Sequence, residues 1–281
     1  MKKQLSNEER LMTDKAWSRL RERLDRDGLI EQPEQRRGPS LRYALAFAAT
    51  LVLLLTAGLI FINREKEETQ LISKEILNDI SGTTFVARLE DGSIVYLSEN
   101  SSIKHPVAFS SAERKIEMEG EAFFDIARDE SKPFIINAGN TKVQVLGTSF
   151  ELISHDGETV LSVKTGKVRL TLLNSGMTID VSAGEKAYSD NNQLKKLTID
   201  EYEDFKKYRI RMHFKDQSLS DIAIILNRNF KDREIVIDPA IAMREMTATF
   251  TGEDQESMVE LICNAMNLKY SNEGKIIKIH L

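Results

Sequence analysis

The chain has 281 residues, enough for more than one domain, and 30% of them are charged. Its net charge of −5 is mild, which argues against nucleic acid as the main partner, because phosphate binding needs a basic face. The single cysteine, Cys263, excludes an intramolecular disulfide, and no Cys/His spacing suggests a metal site, so neither metal nor cofactor is expected.

The first predicted element is a helix in a short head, residues 1–42. Ser6 and Glu9 in "SNEER" have capping-box spacing. Met12, Ala16 and Leu20 then recur every four residues, with Trp17 and Leu24 beside them, and Gly28 and Pro33 end the pattern. One amphipathic helix cannot build a core, so its stripe needs a partner, either another protein or a membrane surface. The arginines at 19, 21, 23 and 26 suit both.

The block "YALAFAATLVLLLTAGLIFI", Tyr43–Ile62, carries no charge. As a helix its twenty residues reach about 30 Å, the thickness of a hydrocarbon core. A 42-residue leader is too long for a cleaved signal peptide, and the block lacks the polar face of a buried soluble helix. A single membrane span is expected. The flanks Arg36, Arg37 and Arg42 outweigh Arg64 and Lys66, which are mixed with glutamates, so the N-terminus is placed inside. Net charge also splits at the block, +3 before it and −8 after it.

A charged linker, 63–75, precedes an all-β region, 76–200. There the period becomes two. Val95 and Leu97 alternate with Ile94 and Tyr96 after the turn at Asp91-Gly92. Ile116 and Met118 alternate with charged residues. Val168, Leu170 and Leu172 share a face, as do Met177, Ile179 and Val181. In "KVQVLGTSFEL" the phase changes across Gly147, the signature of a β-bulge or a corner. The Thr148 hydroxyl could attack the Gly147 carbonyl if that turn is strained, splitting the backbone. Conventional catalysis finds no support: His105, His155, His213 and His280 are isolated, and Asp125, Asp129 and Glu130 match no calcium loop.

Residues 205–281 read as α/β. "RIRMHF", "EIVI", "MTATF" and "KIIKIH" are predicted strands. Ser218 opens a helix with Leu219, Ile222, Ala223 and Leu226 on one face. A second helix groups Met258, Leu261, Ile262 and Ala265, with Cys263 as a small buried hydrophobe. A strand–helix–strand unit used twice leaves sheet edges open to strand addition.

These motifs resemble a FecR-type anti-sigma factor over nearly everything after residue 75. "LEDGSIVYLSENSSIKHP" is similar to the family's opening motif, with Glu90 where proline is usual. "RKIEMEGEAFFDIARDESKPFII" resembles its central signature, and "VQVLGTSFEL", "VKTGKVRL" and "AGEKA" follow in order. The resemblance implies a β-solenoid-like periplasmic FecR domain. It also implies a C-terminal domain similar to the short domain of secretins and TonB-dependent transducers, with Tyr208 replacing the usual tryptophan before it. The implied function is relay across the bacterial inner membrane. An outer-membrane TonB-dependent transducer docks in the periplasm, proteases including an intramembrane one cut the chain, and the head releases an extracytoplasmic-function sigma factor. Met12, Trp17, Leu20 and Leu24 are the candidate sigma contacts. Self-cleavage at Gly147–Thr148 is reported for some members; no activity on an external substrate is expected. The head is about half the family's usual length, since only "DKAWSRLRERL" resembles the segment before the span. Alternatives are a periplasmic adaptor of the same family without sigma binding, or an envelope carbohydrate-binding module.

Overall fold

The computed structural model describes residues 7–29, 56, 73–190, 193–198 and 203–281. The chain divides into two units, Met1–Glu68 and Thr69–Leu281. In the first, helix α1 spans Asn7–Arg26 and ends before Gly28, whose φ is +65°. The expected span, Tyr43–Ile62, lies outside the described residues apart from Thr56, as does Ser6 of the expected cap. Among the described residues no helix is long and apolar enough to cross a membrane.

The second unit begins with thirteen strands: β1 (Ser73–Asn78), β2 (Thr84–Arg88), β3 (Ile94–Leu97), β4 (Ser101–Pro106), β5 (Arg114–Asp125), β6 (Phe134–Ala138), β7 (Thr141–Val145), β8 (Ser149–His155), β9 (Glu158–Thr165), β10 (Lys167–Leu172), β11 (Thr178–Ser182), β12 (Glu185–Ser189) and β13 (Leu194–Thr198). A 3-10 turn, Glu203–Arg209, leads to β14 (Arg211–Ser218), α2 (Leu219–Asn229), β15 (Glu234–Ile237), β16 (Glu245–Thr251), α3 (Gln255–Met266), β17 (Lys269–Glu273) and β18 (Ile276–His280).

Two sheets share β5. One runs β1-β4-β5-β6-β7-β10-β11; the other runs β13-β12-β9-β8-β5-β3-β2-β14-β16. The first half of β5 pairs with β4 and β6, the second half with β3 and β8. The change falls at Gly120, where φ is +96° and a Cβ would lie 2.7 Å from the Ser101 Cα. Only glycine fits, because the two halves fold over each other and the backbones meet. Alternate residues of both sheets face inward onto one core, with Phe124 and Phe150 stacked 5.3 Å apart.

The all-β expectation holds, but the solenoid does not describe the pairing. A solenoid needs parallel turns, and here β5–β6 is the only parallel pair within β1–β13. Tight turns explain this. Asp91-Gly92 and Asp156-Gly157 close hairpins, and a hairpin makes its strands antiparallel. The phase change at Gly147 is not a bulge inside one strand. β7 ends in one sheet at Val145 and β8 starts in the other at Ser149.

The C-terminal expectations need three corrections. Arg209 and Ile210 precede β14 rather than joining it. The helices do not sit on one sheet: β14 and β16 extend the second sheet, through a parallel pairing of β14 with β2, and β15-β18-β17 forms a separate three-stranded sheet. In α3 the buried face is Met258, Val259, Ile262 and Cys263, whereas Leu261 and Ala265 are exposed. Capping follows the sequence: Ser218 Oγ accepts from the Asp221 N–H, and Asp254 Oδ1 accepts from the Ser257 N–H, each stabilising its helix by about 1 kcal/mol.

Candidate functional site

In the first unit the α1 stripe has no cover among the described residues. Met12 is 75% exposed, Trp17 65% and Leu20 47%; Leu24 is half-buried. At 100° per residue, Met12, Ala16, Leu20, Leu24 and Trp17 fall within one arc of about 140°. The four predicted contacts are therefore brought together on one face. Arg19 flanks this arc and Arg23 falls within it, and a Glu22–Arg26 ion pair at 3.7 Å is exposed.

In the second unit the predicted pair Gly147–Thr148 lies where the chain passes between sheets. Gly166 and Ala183 lie at two further passages, from β9 to β10 and from β11 to β12, and they meet: the Ala183 N–H donates to the Gly166 carbonyl at 3.0 Å. Gly147 is crowded rather than left-handed, since a Cβ there would come within 2.6 Å of the Arg128 Cβ. Thr148 is 4% exposed, its carbonyl accepts from the Ile126 N–H at 2.9 Å, and its Oγ1 has no hydrogen-bond partner. A cleft of about 400 Å³ opens here, lined by Arg128, Leu146, Lys167, Arg169 and Asp180. Asp125, Asp129 and Glu130 do not converge on a cation: Asp125 pairs with Arg228, Asp129 accepts from Ser131, and Glu130 pairs with Arg128.

A charged cluster joins the two-sheet region to the C-terminal part. Tyr208, 1% exposed, donates its hydroxyl toward Glu121 Oε1 at 3.0 Å and Glu151 Oε1 at 2.8 Å. Lys207 Nζ lies 2.8 Å from both carboxylates. Burial alone would raise the Glu121 carboxyl, but the Lys207 and Tyr208 contacts outweigh it and hold it below the usual range. Burial, with the charges of Glu151 and Glu121, pushes the Tyr208 phenol up. Phe123 packs on Phe205 and Tyr208, with centroids 5.1 and 5.7 Å away. Arg88–Asp221 at 2.9 Å and Arg228–Asp125 at 3.1 Å complete the junction.

A model of the FecR protein family matches residues 55–169, and a model of the FecR C-terminal domain matches residues 211–279. The chain belongs to the FecR family. Two solved structures of a candidate anti-sigma factor from Parabacteroides distasonis ATCC 8503, at 2.50 and 1.65 Å resolution, are each 27% identical to it. Each spans 74% of this chain, and 99% and 98% of their own, with TM-scores of 0.46 and 0.45. No curated protein matches the chain.

Within this FecR chain, Tyr208 stands where the family resemblance puts an aromatic residue, but nothing in the sequence marks Glu121 and Glu151 as its partners. Glu121 and Glu151 sit on strands that pair only through the fold. A signal was available for the docking face: "EAFFDI" breaks strict alternation, because Phe123 and Phe124 are both buried, on opposite faces of β5. A strand buried on both faces must be covered on both.

Proposed function

We propose that this FecR-family protein is an anti-sigma regulator. Its α1 stripe holds an extracytoplasmic-function sigma factor in the cytoplasm, residues 43–62 cross the inner membrane, and the FecR and C-terminal domains receive a signal in the periplasm. The observation that carries the reading is the exposed face of Met12, Trp17, Leu20 and Leu24, a surface that fits a groove on a partner. The family membership supports the same assignment. A TonB-dependent outer-membrane transducer is the periplasmic partner in this reading. The β16 edge suits its docking: residues 246–251, Met-Thr-Ala-Thr-Phe-Thr, end their sheet without a lysine or proline to discourage strand addition. Release of the head then follows proteolysis, including a cut within the span.

The test is a pull-down of the full-length chain, in detergent, against the host's sigma factors, repeated with Trp17→Ala. Capture of one extracytoplasmic-function sigma factor, weakened at least about tenfold by the variant, supports the reading, since truncating a central tryptophan costs about 2 kcal/mol or more of binding. Capture of none, or capture indifferent to Trp17→Ala, moves the assignment to a periplasmic adaptor.

A second, covalent reading rests on the free Thr148 hydroxyl beside Gly147. The hydroxyl adds to the Gly147 carbonyl carbon, its proton passes to the departing amide nitrogen, and water hydrolyses the resulting ester. Mass spectrometry of the incubated protein would find a fragment starting at Thr148, and Thr148→Ala would stay whole. A wild type that remains one piece ends this reading.

A further inference from the structure

The geometry points to β1 as a detachable strand that opens from Ser73 and stops at Asn78, turning residues 73–77 into an extended substrate for an endoprotease. β1 is the edge of its sheet and pairs with β4 alone. Ser73, Lys74 and Glu75 are exposed, Leu77 is 56% exposed, and only Ile76 packs against the core. The ladder is also weak where opening starts. Ser73 stands opposite Pro106, which has no N–H to donate.

The far end is built differently. Asn78 is fully buried, and its Nδ2 donates to the Thr83 and Leu97 carbonyls at 2.8 and 2.9 Å. Its Oδ1 accepts from the Ile80 N–H and the Thr83 hydroxyl, both at 3.3 Å, and its carbonyl accepts from the Asn100 N–H at 2.8 Å. Opening therefore breaks exposed ladder bonds one at a time and then meets a residue with five. The rest of the sandwich keeps its core, because β4 remains held by β5. Edge segments with few buried apolar contacts open at far lower free energy than the whole domain. Proteases bind substrates as extended chain, so a freed β1 is cleavable while a paired one is not. Use of this opening in signalling rests on the relay proposed for the chain; the opening itself does not.

The experiment is limited trypsin digestion of the full-length protein in detergent, with cleavage after Lys74 and after Lys115 timed by mass spectrometry. Lys115 lies inside β5 and reports global unfolding. The expected result is cleavage after Lys74 at least about tenfold faster, and nearly insensitive to mild urea, since a small opening exposes little surface. A disulfide variant, Glu75→Cys/Lys104→Cys, links a directly opposed pair across β1 and β4. Oxidised, it should cut after Lys74 no faster than after Lys115; reduced, it should regain the wild-type rate. Asn78→Ala should remove the stop, and hydrogen exchange at the Thr83 and Asn100 amides should then quicken with that of β1. Equal rates after Lys74 and Lys115 in the wild type, or equal rates in the oxidised and reduced variants, would overturn the proposal. Sigma capture is read separately, so its failure does not bear on this result.

Discussion

Replacing Tyr208 by phenylalanine keeps the ring against Phe123 and removes one proton. That proton serves two carboxylates, Glu121 at 3.0 Å and Glu151 at 2.8 Å, but only one at a time, so a single charge-assisted bond is lost. Such a bond contributes about 1.5–3 kcal/mol. Glu151 is 2% exposed, so water replaces the hydroxyl poorly; Lys207 stays within 2.8 Å and limits the damage. A loss of about 2 kcal/mol is expected, which for a unit of roughly 200 residues is a fall in Tm of about 4–8 °C. The assay is thermal unfolding of full-length protein followed by circular dichroism. Tyr96→Phe is the comparison. Its hydroxyl accepts a neutral bond from Asn229 Nδ2 at 2.8 Å, and about 1 kcal/mol is expected there. The difference at Tyr208 also has a pH signature. The folded Glu121 carboxyl lies below its ordinary value of 4.5, so its stabilisation is full above that value and is lost as pH falls through the folded one. The gap between wild type and Tyr208→Phe should therefore narrow below about pH 4.5. A Tm within about 1 °C of wild type at pH 7, or a gap that does not narrow in acid, would refute the reasoning.

Gly120→Ala should cost about 3 kcal/mol or more, because it combines φ of +96° with a Cβ driven onto Ser101; Gly176→Ala, with φ of +69° and open space around it, should cost about 1 kcal/mol, and urea midpoints compare the two. Arg114→Met should cost about 3–5 kcal/mol by the same measure, since Arg114 is 2% exposed, pairs with Asp91 at 2.8 Å and donates to the Ala127 and Lys132 carbonyls. His213 is held below its ordinary 6.5 by burial and then by the Lys215 charge, so below about pH 6.5 the unfolded chain takes up a proton that the folded one refuses. Stability should fall as pH drops from 6.5, and His213→Gln should flatten that slope in denaturation curves taken between pH 7 and 5.

Local chemistry was readable in the sequence where the turn residues demand one geometry. The turn at Asp91-Gly92 and the strand after it form as expected, with β2 as the hairpin partner, and Ser218 opens its helix. Long-range pairing was not readable. Nothing near "RMHF" says that Met212 and His213 will lie beside Thr84 and Phe85, because parallel pairing leaves no turn to mark it. β17, Lys-Tyr-Ser-Asn-Glu, escaped notice because it shows no apolar alternation; its sign was Gly274, which closes the hairpin onto β18. The helical period of α3 is legible, and Met258, Ile262 and Cys263 are buried as expected, but the face is rotated slightly: Val259 turns inward, while Leu261 and Ala265 face out. At the candidate sites the apolar stripe of α1 was visible as a pattern, whereas the Tyr208–Glu121–Glu151 group assembles residues as far as 87 positions apart.

The parallel seam between β14 and β2 is only two residues long, yet it makes one fabric of two domains. From β16, backbone hydrogen bonds run through β14, β2, β3, β5 and β4 to β1 with no loop interposed. Its two borders, β16 and β1, therefore belong to a single hydrogen-bonded weave that bends once, at Gly120. Where that cloth would part is set by stitch count: two residue pairs at the seam, reinforced by the charged cluster around Tyr208, against six at β1 that carry almost no apolar backing.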